Sequence, residues 1–266
     1  MIFIAAPIII YNLSLLIFIN SVILIINNNI YIIQWEIICF ISNTIKIQFI
    51  IEWSSIIYSS IVIFISANVL KFSQEYIKID QNKNRFTFIV LLFITSINFL
   101  IFIPNIITIL IGWDGLGITS FILIIYYNNS RSLRAGILTI ITNRLGDTFI
   151  LLAIIFIIDT GDWLLIHNMT RNKYFPAQCL RIIFGATTKR AQIPFSRWLP
   201  AAMAAHTPVS ALVHSSTLVT AGIFILYRFN YIVSSWTIAQ TTLTIIGILT
   251  SLTTRIRAIY ENDIKN

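Results

Sequence analysis

Apolar runs of about 18 or more residues recur along this chain, each long enough to cross the hydrocarbon core of a bilayer as a helix. The runs are continuous rather than alternating. Backbone polar groups in lipid must be paired within a helix or a closed barrel, so helices are expected here. Charge agrees with that reading: charged residues make up 11% of the chain, against about 25% in soluble domains. The expected fold is an all-α polytopic membrane protein. About eight transmembrane helices are predicted, near 2–26, 53–72, 86–106, 107–127, 135–158, 177–196, 206–228 and 235–254.

The segments between the runs are informative too. Residues 30–51 are apolar but interrupted by Glu36 and Lys46, and their β-branched and aromatic content suits an interfacial strand pair at least as well as a helix. KFSQEYIKIDQNKNR (71–85) reads as a polar loop, as does 157–174, which could bear a short interfacial segment. The net charge of +8 belongs mostly to loops and helix ends, where it suits anionic headgroups; no basic stripe supports nucleic-acid binding. Two cysteines, Cys39 and Cys179, support neither a disulfide framework nor a thiolate metal site. The first run, from Ile2 to Ile26, lacks a basic leader and a small-residue cleavage site, and reads as a retained span.

One span is expected to break. FGATTKRAQIPFSRWLPAAM (184–203) carries Pro194, and a proline removes an intrahelical hydrogen bond and clashes with the preceding turn. A broken helix is tolerated in a membrane where the freed carbonyls face protein or a wet cavity. Lys189, Arg190 and Arg197 surround this break. Lys189 and Arg190 project about 100° apart on a helix, so only one readily faces an interior. Lysine can release its proton when its surroundings change, whereas arginine cannot. Anchoring at headgroups is the competing account for all three cations.

The other ionisable residues inside spans are few. Asp114 lies in LIGWDGLG (110–117), where Gly112, Gly115 and Gly117 would also permit a close helix crossing. A carboxylate there must be neutral, paired or wetted. Arg144 and Asp147 form an i, i+3 pair in ITNRLGDTFILL, either a structural salt bridge or a modulatory one. His214 sits in an otherwise uncharged span, followed by Ser215, Ser216 and Thr217, which could hydrate a proton path. His206, eight residues earlier, is too distant along a helix to share a metal ion and suits a capping or interface contact. No nucleotide loop, haem pair or iron–sulfur ligand set occurs, so neither a cofactor nor a metal is expected, and the available chemistry is proton transfer.

IGWDGLGITSFILIIYYNN (111–129), TNRLGDTFILLA (142–153), residues 188–229 and ENDIK (261–265) resemble the chain 5 family of NADH–ubiquinone oxidoreductase. These are the antiporter-like membrane subunits of mitochondrial respiratory complex I, related to subunits of Mrp-type cation/proton antiporters. WSSIIYSSIVIFISANVLKFSQEYI (53–77) and NRFTFIVLLF (84–93) are similar to earlier regions of the same family. The resemblance implies a proton-translocating subunit in the mitochondrial inner membrane, coupling NADH:ubiquinone electron transfer to proton pumping with no redox chemistry of its own. It implies that Asp114 pairs with Lys189 on the broken helix, that His214 leads the proton onward, and that Arg144 and Asp147 tune the switch. The family fold contains two inverted repeats, each with one broken helix. Residues 53–266 would form the first repeat, behind an N-terminal span and interfacial segment at 1–52.

Several features depart from the family pattern. Arg190 stands where a small residue is usual, His206 replaces a proline, and Arg181 lies two turns before Lys189. Family members are also about twice as long, so the chain is expected to be one piece of a split subunit. The expected partners are other membrane-arm subunits, especially a chain-4-like neighbour, a second polypeptide carrying the remaining half, and lipids such as cardiolipin. Alternatives are a subunit of an Mrp-type antiporter, or a structural remnant without active proton transfer.

Overall fold

A computed structural model describes residues 2–39, 44–78, 80, 82–158, 175–203 and 205–261. Most of the expected polar loop at 157–174, and ENDIK beyond Glu261, lie outside these residues. The chain begins with α1 (Ile2–Asn27), β1 (Tyr31–Cys39), β2 (Thr44–Ile51), α2 (Trp53–Tyr76), α3 (Lys83–Phe102) and α4 (Ile106–Ile125). It continues with α5 (Ser130–Ile158), α6 (Phe175–Lys189) and the short α7 (Trp198–Ala202). Residues 207–228 are helical throughout but in three registers: α8 (Thr207–Val209), a widened π stretch (Ser210–Thr217) and α9 (Leu218–Arg228). The short α10 (Asn230–Ser234) and the long α11 (Thr237–Tyr260) follow. Among the described residues six helices, α1 to α5 and α11, are long and apolar enough to cross a membrane. The chain is thus a multi-pass helical membrane fold. Two compact units divide it, one of Met1–Leu123 with Thr207–Thr217, the other of Ile124–His206 with Leu218–Asn266.

In the first unit α1 lies along α2. The helix α1 is apolar on all sides and buries only a narrow seam, including Ala6, Ile10, Ser14, Ser21 and Leu24. Gln74 near the end of α2 donates through Nε2 to the carbonyl of Phe3, 2.6 Å away, which makes the two helices antiparallel. α2 buries small residues, Ser55, Ser59, Ser66 and Ala67 among them, and small side chains let helix backbones approach in lipid. Their hydroxyls are satisfied within the helix: Ser59 Oγ donates to Ile56 O at 2.9 Å and Ser66 Oγ to Ile63 O at 2.7 Å. α3 supplies a regular apolar face, with Phe86, Val90, Phe93, Ile97 and Leu100 buried at three- and four-residue spacing.

Three sequence expectations are corrected or resolved in these elements. Tyr31–Cys39 and Thr44–Ile51 form an antiparallel strand pair rather than a helix, with Glu36 opposite Lys46 and Trp35 packed edge-on against Phe49 at 5.4 Å. The fold is all-α in class, with this one strand pair beside its helices among the described residues. The polar segment 71–85 is not wholly a loop: α2 persists to Tyr76 and α3 starts at Lys83. Lysine, glutamine and glutamate are good helix formers, so the helix outlasts its apolar run. The helix expected to run to Pro194 ends at Lys189 instead, for a reason that belongs to the site.

In the second unit α5 and α6 cross closely. A Cβ on Gly185 would stand 2.9 Å from Ile150 Cγ1 and 3.4 Å from the Gly146 carbonyl, while one on Gly146 would collide with the Thr188 side chain. Two glycines thus meet at this crossing and set its separation. α7 packs on α5, and α9 and α11 pack on α6.

Candidate functional site

The end of α6 is built by its own backbone. Ala191 adopts φ 53°, the left-handed region, directly after the last helical turn. The Gln192 amide donates to Thr187 O at 3.2 Å and the Ala191 amide to Thr188 O at 3.4 Å. This pair of bonds is the Schellman arrangement, which closes a helix by turning the chain back on its last carbonyls. Glycine usually fills the left-handed position; alanine there costs about 1–2 kcal/mol. Trp198 Nε1 donates to Thr188 O at 2.8 Å in the interior, so a carbonyl freed by the break receives a second donor. The break is therefore closed within the protein, as a lipid environment requires.

Lys189 is the last residue of α6 and is wholly buried, with 0% of its surface exposed. Its neighbour Arg190 is half-buried and Arg197 is exposed. One residue earlier, Thr188 Oγ1 donates to Gly185 O at 2.7 Å and packs where a side chain on Gly146 would otherwise lie. The ammonium thus emerges at the negative end of a helix, where a cation is favoured. On α5, Arg144 Nη1 lies 3.3 Å from Asp147 Oδ2, with the arginine side chain 55% exposed and the aspartate 11%. Arg181, two turns before Lys189, is half-buried.

Asp114 and the backbone of His214 belong to the first unit. Asp114 is half-buried, with Oδ1 shielded from solvent. It stands on α4 between glycines that press this helix onto α3: a Cβ at Gly112 would come within 2.7 Å of the Leu100 amide nitrogen, and one at Gly115 within 3.1 Å of Ser96 Cβ. His214 lies in the π stretch; its side chain lies outside the described residues. There Thr217 Oγ1 donates to Leu212 O, five residues back, at 2.6 Å, which satisfies a carbonyl in the widened turn. His206, immediately before α8, packs its ring 3.9 Å from that of Tyr127.

Sequence reasoning missed three residues of these surroundings: Trp198, Gly146 and Gly185. The two glycines had a signal, small residues within apolar helices, and so did the indole, a hydrogen-bond donor four residues past a proline. Thr217 stands out in the sequence for its hydroxyl, which donates to the Leu212 carbonyl within its own helix. Chemically, the second unit holds a buried amine at a closed helix break, and an acid–base pair on the helix that crosses it.

The family model for the transmembrane region of NADH:quinone oxidoreductase and Mrp antiporters matches residues 104–266. NADH-ubiquinone oxidoreductase chain 5 of Lumbricus terrestris is 50% identical over 235 residues, which cover 87% of this chain and 40% of that protein. The protein of the same name from Anopheles quadriannulatus is 46% identical over 218 residues, covering 81% of this chain and 82% of its own length. The chain spans about 40% of the length of most of the curated relatives it matches. A solved Mrp complex from Dietzia sp. contains a chain with the same fold, at a TM-score of 0.83 and 21% identity, covering 99% of this chain and 30% of that one.

Proposed function

The chain belongs to the NADH:quinone oxidoreductase/Mrp antiporter transmembrane family, and from that premise we propose that it is a proton-translocating membrane subunit of NADH:ubiquinone oxidoreductase. In this reading it resides in the mitochondrial inner membrane, and other subunits carry the redox centres. α6 and residues 207–228 join the six long helices as further crossings, making eight. Residues 53–266 form the first of two inverted repeats, behind an N-terminal span and interfacial hairpin at 1–52. A chain-4-like neighbour, a second polypeptide with the remaining half, and lipids such as cardiolipin complete the assembly.

The observation that carries this reading is the complete burial of Lys189 at the closed end of α6. An amine anchored among headgroups would keep contact with water. A lysine inside a membrane bundle is costly and serves function by default. Asp114 is the carboxylate proposed to hold the ammonium charged. When that carboxylate turns to another cation, the amine releases its proton toward His214. Arg144 and Asp147 bias the exchange, because their pair can offer either charge to a neighbour. The fold shared with an Mrp complex supports a second reading, in which the same lysine couples protons to Na⁺ or K⁺.

The test replaces Lys189 with methionine in the assembled complex and counts protons moved per NADH oxidised. A fall in that ratio is expected, and Lys189→Arg should share it, since arginine keeps the charge and gives up no proton. An unchanged ratio in both variants would defeat the proposal. Proton movement that continues without NADH oxidation and follows a Na⁺ gradient would favour the antiporter reading.

A further inference from the structure

We infer that a cleft in the second unit binds a phosphate group, presented by an anionic phospholipid headgroup or as free phosphate. The cleft has a volume of about 860 Å³ and opens beside the turn that follows α6. Three arginines line it, Arg131 from the first turn of α5, Arg190 from the turn and Arg257 from the last turn of α11. They come from three distant parts of the chain, so their convergence is a product of the fold and not of a local run of charge. Glu261 is the one acid among the lining residues, which leaves three guanidinium groups against one carboxylate. Among the described residues none of the three arginines takes part in a salt bridge. Guanidinium forks match phosphate oxygens in pairs, and basic pockets between membrane helices suit lipid headgroups.

Two further features belong to a built site. Gly222 on α9 makes room for the Arg190 stem: a Cβ there would stand 2.8 Å from Arg190 Cγ. Gln192, only 8% exposed, lines the same cleft, and its Oε1 is buried without a hydrogen-bond partner. An orphaned amide in a polar cleft is a place for a ligand or a water. The two ends of the amide are interchangeable in assignment, so it can donate to a phosphate oxygen or accept from a headgroup hydroxyl. Ser196 adds a hydroxyl to the lining, while the Thr254 hydroxyl donates to carbonyls of its own helix. Arg190 therefore has work of its own in this cleft.

The inference deepens the lipid contact proposed above and rests on no step of the proton path, so failure of the Lys189 test leaves it standing. The experiment strips the assembled complex of lipid and follows rebinding by native mass spectrometry. The probes are dioleoylphosphatidylglycerol, dioleoylphosphatidylcholine and inorganic phosphate, each offered separately. The wild type is expected to retain phosphatidylglycerol over phosphatidylcholine, with affinity about 10-fold weaker in Arg190→Gln and Arg257→Gln, as for loss of one charge-assisted contact. Arg197→Gln, at an exposed position outside the cleft, should bind like the wild type. Binding of inorganic phosphate with the same arginine dependence, displacing the lipid, assigns the site to the free anion. If Arg190→Gln fails to assemble, Arg131→Gln at the exposed start of α5 is read in its place. Equal lipid binding by wild type and variants, or no binding of either phosphatidylglycerol or inorganic phosphate, overturns the inference.

Discussion

Two helices in this protein lose their regular register, and they resolve the loss in opposite ways. α6 stops: the chain turns back at Ala191, and an indole from nine residues beyond the helix end donates to a freed carbonyl. Residues 207–228 do not stop but widen, and a threonine hydroxyl reaches five residues back to keep the ladder satisfied. The first solution needs a donor from outside the helix and leaves a charged residue at the terminus. The second is local and carries no charge at its seam. A break that depends on tertiary contacts can position Lys189, and for the same reason it is vulnerable to changes far along the chain. The hydrogen bond that closes the widened stretch lies within it.

That difference can be tested by attacking each device. The largest effect is expected from Gly146→Val, which forces a branched side chain into Thr188 at the α5–α6 crossing. Overpacking of this kind costs about 1–3 kcal/mol, and assembly of the complex on a native gel should fall accordingly. Normal assembly with an unchanged melting temperature would show that the end of α6 does not rely on α5. Trp198→Phe keeps an aromatic side chain, though a smaller one, and removes the donor to Thr188 O, and a buried carbonyl deprived of one donor loses about 1 kcal/mol or more. Faster amide exchange at Ala191 and Gln192, the turn that shares this carbonyl, is the expected signature. Thr217→Val removes the hydroxyl at the π stretch and should cost about 1 kcal/mol at most, with faster exchange confined to residues near 217. Exchange that spread from this substitution through both units would erase the contrast between the two devices.

The membrane spans were legible because lipid leaves a chain few options, and continuous apolar runs state the option taken. The close approach at Asp114 was also legible, since Gly112 and Gly115 announced it before α3 was known to receive them. The end of α6 was not. Pro194 is the loud signal in that stretch, yet the helix closes earlier through an alanine in a conformation that alanine seldom adopts. No single-residue preference marks such a position, because neighbouring contacts impose it. The extension of α2 to Tyr76 was hidden by its polarity, which says where water begins and not where the helix ends. The chemistry-bearing residues stood out by charge alone in an apolar background, whereas the partners that position them, Gly146 and Trp198, are neutral and surfaced only with the fold.

The π stretch has one more consequence, best expressed as a count. A regular helix advances about 100° per residue, so each widened turn amounts to a residue slipped into the winding. Pro208 and Val209 upstream, and Ala221, Gly222 and Ile225 downstream, are buried on faces whose phases the stretch has shifted relative to a straight winding. A one-residue deletion between 210 and 217 could let the backbone close into ordinary winding while rotating one buried face away from its neighbours. An insertion in a surface loop would change length and little else. In this helix, therefore, the number of residues carries structural information of its own, and a lineage could alter which groups meet by losing a codon without changing the character of any side chain.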